Sequence, residues 1–164
     1  MTLYVVISDT HGDVRAAERA MARFPLADVI HLGDHARDVV RLAARHPERR
    51  IIGVSGNCDF NADEMRFPTE RTLEVEGKRL LLTHGHRYGV KYGYEKLLER
   101  ARSGGFDLVL FGHTHIAADF VRLGCHLVNP GSASQPRGVE GPSYALVEIG
   151  GGRIETRLME DEQT

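Results

Sequence analysis

Five short polar motifs carry side chains that can bind metal ions or move protons. Each one follows an apolar stretch that is typical of a buried strand. In chain order they are Asp9-Thr10-His11, Gly33-Asp34, Gly56-Asn57-Cys58-Asp59, Thr83-His84-Gly85-His86 and Gly112-His113-Thr114-His115. Carboxylate, imidazole and amide groups together suit borderline-hard divalent ions such as Mn, Fe, Zn, Co or Ni. The sequence therefore predicts a divalent metal site, and it lacks the thiolate cluster of a structural zinc site.

Taken singly, each motif has an ordinary explanation. An Asp-x-His is more often part of a solvated loop, Gly33-Asp34 is a common turn signal, and a His-Thr-His is as often hydrogen-bonded as metal-bound. The ordered set of five is far more specific. Ligands of α/β sheets bind beyond the carboxyl ends of the strands, so motifs at such ends can converge on one cleft. The adjacent glycines allow the backbone to turn tightly beside a metal ion or phosphate.

Alternating strand and helix signals predict how the motifs are positioned. In the first half, strands are predicted over residues 3–8, 28–32 and 50–54, with helices over 14–24 and 38–45. This alternation favours right-handed crossovers and a largely parallel sheet. A hairpin over 71–75 and 78–83, a helix over 94–101 that ends at Gly104-Gly105 and a strand over 107–111 follow. The last strands are predicted over 119–123, 126–128, 143–149 and 153–158.

Length and composition limit the class of protein. The 164 residues suit one domain, so we expect a single domain over residues 1–164. The 21 basic and 23 acidic side chains nearly cancel, which argues against a dedicated nucleic-acid surface. No apolar run approaches the roughly 20 residues of a membrane helix, and residues 1–8 do not resemble a signal peptide. With two cysteines that form no disulfide framework, we expect a cytoplasmic protein without a membrane partner.

The ordered motifs resemble the calcineurin-like metallophosphoesterase superfamily. Its pattern is Asp-x-His, Gly-Asp, Gly-Asn-His-(Asp/Glu), a His, and Gly-His-x-His, and all five blocks occur here between Leu3 and about Ile149. The short length, the third and fourth motifs and Asn129-Pro130-Gly131-Ser132 are similar to the compact bacterial and archaeal phosphodiesterase branch. The resemblance implies an α/β fold, a four-layer αββα sandwich in which two facing mixed sheets are flanked by helices.

The resemblance also implies a binuclear metal centre and a role for each ligand. The implied ligands of one metal are Asp9, His11 and His115, those of the other are Asn57, His84 and His113, and the bridging residue is Asp34. The expected metal is manganese, with Ni, Fe, Zn or Co as alternatives. Two such divalent ions can share a water and lower its pKa. The resulting hydroxide would attack phosphorus in line, with inversion and without a phospho-enzyme. We therefore expect a phosphodiesterase that acts on a small phosphate ester.

One position departs from the family pattern. Cys58 stands where many members have a His that acts as general acid or transition-state donor. A thiol with a pKa of about 8.5 is a weaker donor. We expect the enzyme to favour esters whose leaving group departs without strong acid help. Alternatively, a water, His86 or His35 supplies that help. A hydrogen bond to a metal ligand is the alternative role of either His. The candidate catalytic residues are Asn57, Cys58 and His86.

Arg137 and His86 are the candidate substrate-binding residues. Arg137 contacts a substrate phosphate if the loop after Asn129 folds over the cleft, and it is otherwise a solvated surface arginine. Asn129 and Ser132 are expected to shape that loop rather than to take part in the chemistry. His31, on the second predicted strand, is expected to be a core histidine satisfied by hydrogen bonds.

Other functions stay open at this point. A phosphomonoesterase or a nucleotide hydrolase could use the same centre, and 164 residues leave little room for a specificity cap, which favours an open cleft. A non-catalytic protein-binding scaffold is the third reading. The retromer subunit built on this fold is such a case and has lost part of its ligand set, whereas all seven ligand positions are filled here. The branch often forms homo-oligomers, but no apolar stripe argues for one.

Overall fold

A computed structural model describes residues 1–60, 66–138 and 141–162. Within these ranges the chain forms ten strands and three α-helices. The strands are β1 Thr2–Ile7, β2 Asp28–His31, β3 Ile51–Gly53, β4 Glu70–Val75, β5 Lys78–Thr83, β6 Leu108–Leu110, β7 Ala117–Arg122, β8 Cys125–Pro130, β9 Ser143–Gly150 and β10 Arg153–Glu160. The helices are α1 Arg15–Arg23, α2 Arg37–Arg45 and α3 Glu95–Gly104, and a short 3-10 helix covers His86–Tyr88.

Two mixed five-stranded sheets make up the centre of the fold. The strand order is β10-β9-β1-β2-β3 in the first sheet and β4-β5-β6-β8-β7 in the second. Strands β1, β2 and β3 run parallel, as do β5, β6 and β8, while β4, β7, β9 and β10 pair antiparallel. Because parallel strands end on the same edge of a sheet, the loops after them lie side by side.

Apolar side chains pack in three layers. Between the sheets, Val6 and Ile30 of the first sheet belong to one buried cluster with Leu82 and Leu110 of the second. The outer face of the first sheet is covered by α1 and α2, and that of the second by α3. The predicted four-layer αββα sandwich is confirmed.

The predicted elements are all present, with shifted ends. The Glu76-Gly77 turn of the β4–β5 hairpin has φ of 51° and 77°, the left-handed pair that matches the twist of a two-residue hairpin. Strands β7 and β8 are longer than predicted, because their ladder continues to the pair Ala117–Pro130 beyond the apolar residues that signalled them. None of the helices in the described ranges is long and apolar enough to cross a membrane.

The layer between the sheets gives a test of the fold. Leu80 is fully buried there, so Leu80→Ala should lower the free energy of unfolding by about 2–5 kcal/mol through lost burial and a residual cavity. Urea denaturation followed by circular dichroism measures this. Leu26, which is 94% exposed, is the matched control, and Leu26→Ala should change stability by less than about 0.5 kcal/mol. Equal midpoints for the two variants would contradict the packing described.

Candidate metal centre

The loops after β1, β2, β5 and β6 bring six of the seven predicted metal ligands together. One group comprises Asp9, His11, Asp34 and His115, and the other comprises Asp34, His84 and His113. In each group, one ligand atom per residue lies within 4.8 Å of the ligand atoms of the others. Asp34 belongs to both groups. We call these six residues the ligand cluster.

The backbone is left-handed at five of the six cluster positions. The φ angles are 54° at Asp9, 46° at His11, 56° at Asp34, 71° at His113 and 60° at His115. Each such conformation in a residue with a β-carbon costs about 1–3 kcal/mol and persists only where the surroundings enforce it. Close backbone approach adds to the constraint, since a β-carbon at Gly56 would lie 2.2 Å from Oδ1 of Asp34. The ligand loops are therefore held in strained positions by the contacts around them.

Hydrogen bonds to backbone carbonyls fix two of the imidazoles. Nδ1 of His84 lies 2.7 Å from the carbonyl oxygen of Leu32, and Nδ1 of His115 lies 2.7 Å from that of Gln135. A carbonyl oxygen only accepts, so each Nδ1 carries the proton. In the neutral ring, Nε2 is then left with a lone pair directed at the cluster. This arrangement is typical of metal-bound histidine.

Asp9 is a buried carboxylate with one unpaired oxygen. Its Oδ2 accepts hydrogen bonds from Oγ of Ser8 at 2.5 Å and from the backbone N–H of His113 at 3.1 Å. Its Oδ1 accepts none from the described residues, although Nε2 of His115 is 3.1 Å away and Nε2 of His84 is 3.8 Å away. Buried acceptors that face one another repel unless a cation lies between them. A proton joins only one such pair, whereas a metal ion joins several, so this donor set fits a metal ion.

Burial and neighbouring charges set the protonation of the cluster. Burial raises the pKa of Asp34, but His84 and the N–H of Cys58 outweigh it and hold the pKa well below its usual range. Burial lowers the pKa of His84, but the carboxylates of Asp34 and Asp9 raise it above its ordinary value. Burial and the charge of His84 lower the pKa of His113 to about 4. At neutral pH the carboxylate of Asp34 is ionised and His113 is neutral, which are the forms that bind metals.

Asp59 holds the loop that carries Asp34. Its buried carboxylate accepts backbone hydrogen bonds from Asp34, His35, Ala36 and Gly56, at 3.1, 2.8, 2.8 and 2.6 Å. Hydrogen bonds to an ionised acceptor are among the stronger ones in proteins. Asp59 belongs to the third sequence motif but had no predicted role, and the only signal was its position two residues after Asn57.

A second buried network joins the loops after β1 and β2. Nδ1 of His31 accepts from the N–H of Gly33 at 3.1 Å, so its Nε2 is the donor to Oγ1 of Thr10 at 2.8 Å. The Thr10 hydroxyl donates to Asp38 at 2.7 Å, and the N–H of Gly12 donates to the same carboxylate at 2.9 Å. His31 is the hydrogen-bonded core histidine expected from the sequence. The role of Asp38 was not foreseen.

Asn57 and Cys58 lie at the edge of the cluster. The backbone N–H of Cys58 donates to Oδ1 of Asp34 at 2.9 Å, which sets this residue against the shared carboxylate. Asn57 is one residue farther out, with an exposed side chain whose amide donates to Sγ of Cys58 at 3.5 Å. Burial and the charge of Asp34 raise the pKa of the Cys58 thiol to about 11, so it stays protonated at neutral pH.

Two further histidines stand on either side of the cluster. The ring of His86 is 5.4 Å from that of His84 and 6.1 Å from that of His113. The ring of His35 is 6.1 Å from that of His11. Nδ1 of His86 and of His35 is buried and has no hydrogen-bond partner in the described part of the chain. Burial and His84 lower the pKa of His86, so this ring is neutral at pH 7.

The loop after β8 is packed against the cluster. Oγ of Ser132 donates to the carbonyl of Asp9 at 2.8 Å, and the amide of Asn129 donates to the carbonyl of Gly112 at 3.0 Å. The backbone N–H of Arg137 donates to the carbonyl of His115 at 3.0 Å, while its side chain is exposed. Asn129 and Ser132 therefore shape the loop, as expected, and Arg137 stands at its solvent side.

Comparisons with known proteins identify the family of this chain. The family model of the calcineurin-like phosphoesterase superfamily domain matches residues 1–152. The chain belongs to this superfamily. The chain is 36% identical over 149 residues to the probable metallophosphoesterase YsnB of Bacillus subtilis, and the alignment covers 88% of this chain and 83% of that protein. It is 31% identical over 162 residues to the phosphodiesterase YfcE of Escherichia coli, covering 86% and 84%.

Solved structures agree with this membership. The crystal structure of a predicted phosphoesterase from Streptococcus pneumoniae superposes on this chain with a TM-score of 0.83 at 29% identity, covering 98% of this chain and 90% of that one. Among its described His, Cys, Asp and Glu residues, the ligand cluster is thus the candidate metal site of this calcineurin-like phosphoesterase, with Asp34 common to the two groups.

The four backbone hydrogen bonds to Asp59 predict how its replacement changes stability and metal binding. Asp59→Asn replaces an acceptor oxygen by a donor and should lower the free energy of unfolding by about 1–3 kcal/mol. It should also weaken metal binding, because the Asp34 loop loses its anchor; denaturation and isothermal titration calorimetry measure the two effects. The control Asp13→Asn removes a surface carboxylate paired with Arg15, worth less than about 1 kcal/mol. Wild-type stability and metal affinity in Asp59→Asn would show that this carboxylate does not hold the loop.

Proposed function

We propose that this chain is a single-domain phosphodiesterase that works with two divalent metal ions. The observation that carries the proposal is the position of Asp34, whose carboxylate is common to two otherwise separate groups of ligands. A shared ligand between neighbouring donor groups is what a pair of adjacent cations requires. Preference for a diester is supported by the likeness to YfcE, which is named a phosphodiesterase.

Under this proposal the chain divides its ligands as the family resemblance implies. One ion would be held by Asp9, His11 and His115, the other by Asn57, His84 and His113, with Asp34 binding both. Manganese is the proposed ion, since carboxylate and imidazole donors suit borderline-hard cations. When bound, the ions supply charge that lowers the pKa of a shared water and offsets negative charge on the phosphate.

The chain's own residues supply position and protons. The Nδ1–H groups of His84 and His115 are fixed by carbonyls, so both rings keep Nε2 free for binding. The thiol of Cys58 holds a proton on Sγ beside Asp34, and the neutral ring of His86 lies next to His113, where it could contact a phosphate oxygen. Neither group is a strong acid at neutral pH. Esters whose leaving group departs without protonation should therefore react fastest.

The alternatives from the sequence have less support. A protein-binding scaffold has no need for a buried carboxylate oxygen left unpaired among imidazoles, as Oδ1 of Asp9 is. A phosphomonoesterase or nucleotide hydrolase would use the same ligands, and no particular contact favours it. The cytoplasmic location and a homo-oligomer stay predictions from the sequence.

A metal-dependence screen tests the proposal. Protein stripped with a chelator should not hydrolyse bis-p-nitrophenyl phosphate, and reloading with Mn²⁺ should restore hydrolysis of this diester above that of p-nitrophenyl phosphate. Ni²⁺, Co²⁺, Zn²⁺ and Mg²⁺ are compared under the same conditions. Failure of every ion to support hydrolysis of either ester would reject a phosphoesterase activity.

Asp34→Asn tests the shared carboxylate. The amide has no charge to hold two cations, so we expect loss of turnover and a fall in bound metal from two ions to one or none per chain, measured by inductively coupled plasma mass spectrometry. Asp28→Asn is the control, because Asp28 begins β2 at the end remote from the cluster and makes a surface ion pair with Arg50. Full turnover of Asp34→Asn with both ions retained would contradict the bridging role.

Cys58→Ala tests the departure from the family pattern. Nitrophenolate leaves without a proton, so the variant should hydrolyse bis-p-nitrophenyl phosphate less than about tenfold more slowly than wild type. Cys125→Ala is the matched control, since Cys125 is a free, buried thiol in the cluster under α3. A fall above about a hundredfold for Cys58→Ala alone would identify the thiol as a proton donor in the reaction.

A further inference from the structure

A groove lies beside the ligand cluster on the side of the second sheet. It has a volume of about 300 Å³ and is lined by Val90, Lys91, Tyr94, Thr114, Ile116 and Arg137. Thr114 stands between His113 and His115 in the chain, and the backbone of Arg137 is bonded to His115 at 3.0 Å. A molecule bound at the cluster can therefore extend into this groove.

The groove carries two cations that no carboxylate of the described residues neutralises. Lys91 and Arg137 are exposed, and neither side chain has an ion pair or hydrogen bond with a described residue. None of the lining residues is acidic. Several other surface arginines of this nearly neutral chain are paired, for example Arg19 with Asp161 and Arg45 with Glu18.

The lining of the groove also includes apolar side chains, among them Tyr94 and Ile116. The ring of Tyr94 packs against those of Phe111 and Phe120, with centroids 5.6 and 5.1 Å apart. Ile116, another lining residue, is 49% exposed. A packed aromatic ring and an exposed aliphatic side chain in the same lining suit a flat apolar group. The volume is at the lower end of the range for small-ligand pockets, which admits one ring system rather than a polymer.

We propose that this groove binds one arm of the phosphodiester substrate, a flat group of about nucleoside size that carries a second phosphate held by Lys91 and Arg137. The inference rests on the proposed function, because it assumes that the scissile phosphate binds at the ligand cluster. An ammonium and a guanidinium can share one phosphate, the first as a point charge and the second through paired N–H groups. The substrate class is thus a small phosphodiester with a distal phosphate.

The test uses two esters that differ only in the second phosphate. One is p-nitrophenyl thymidine 5′-phosphate, and the other is its 3′-phosphorylated analogue. We expect Mn²⁺-loaded wild-type protein to hydrolyse the analogue with about tenfold higher kcat/KM, since each exposed cation contributes a factor of about three to five. Raising the ionic strength from about 0.05 to 0.5 M should reduce this preference, because salt screens exposed charges.

Charge-removing variants locate the effect. In the double variant Lys91→Gln/Arg137→Gln, the ratio of the two kcat/KM values should fall to about one. Arg153→Gln is the matched control, because Arg153 is an exposed arginine at the start of β10, and it should keep the wild-type ratio. Calorimetry with thymidine 3′,5′-bisphosphate and thymidine 5′-phosphate gives a readout independent of turnover. Wild type should bind the bisphosphate about tenfold more tightly, and the double variant should bind both alike.

The outcomes separate the two proposals. If wild type hydrolyses both esters with equal kcat/KM, or if the preference survives in the double variant, the groove does not bind a distal phosphate and the phosphodiesterase proposal stands. If neither ester is hydrolysed under any metal loading, the proposed function fails and the assignment of the groove to a substrate arm fails with it.

Discussion

Buried acceptors that face one another around Asp9 and Asp34 are the constraint on which the rest of this structure depends. Carboxylate oxygens and imidazole lone pairs within a few ångströms repel one another in a site of low dielectric constant, and a bound cation together with the surrounding hydrogen bonds would offset this repulsion. Those bonds are directional. The carbonyls of Leu32 and Gln135 orient the two buried rings, and Asp59 gathers the backbone N–H groups of the Asp34 loop.

The sandwich explains how such a cluster is held at the sheet edges. Residues from four loops must meet, and each loop follows a parallel strand whose position is set by packing in the layer between the sheets. The rigid strands fix where each loop begins, and the buried bonds of Asp38 and Asp59 fix how the loops after β1 and β2 turn. Burial of the core thus opposes two unfavourable terms, the repulsion between acceptors and the left-handed backbone of the ligands.

The features that could be predicted from the sequence are those that depend on residue type alone. Strand and helix order followed from the apolar pattern, and six candidate ligands that the structure brings together could be named because few side chains bind cations. The roles of Asp59 and Asp38 were not predictable, because an acceptor for backbone N–H groups depends on which main-chain atoms approach it in space. The same limit applies to Lys91, which no motif contains. The observed strand ends differ from the predicted ones where backbone pairing continues beyond the apolar residues, as at Ala117.

The left-handed ligands have a consequence for how this fold diverges. Five positions would be under two pressures, one for a side chain that can bind a cation and one for a main-chain conformation that most residues resist. If a descendant lost the reaction, the first pressure would vanish and the second would remain. Glycine or asparagine would then replace the lost ligands more readily than alanine or valine. A lineage that has lost catalysis should therefore carry small or amide residues at these left-handed positions.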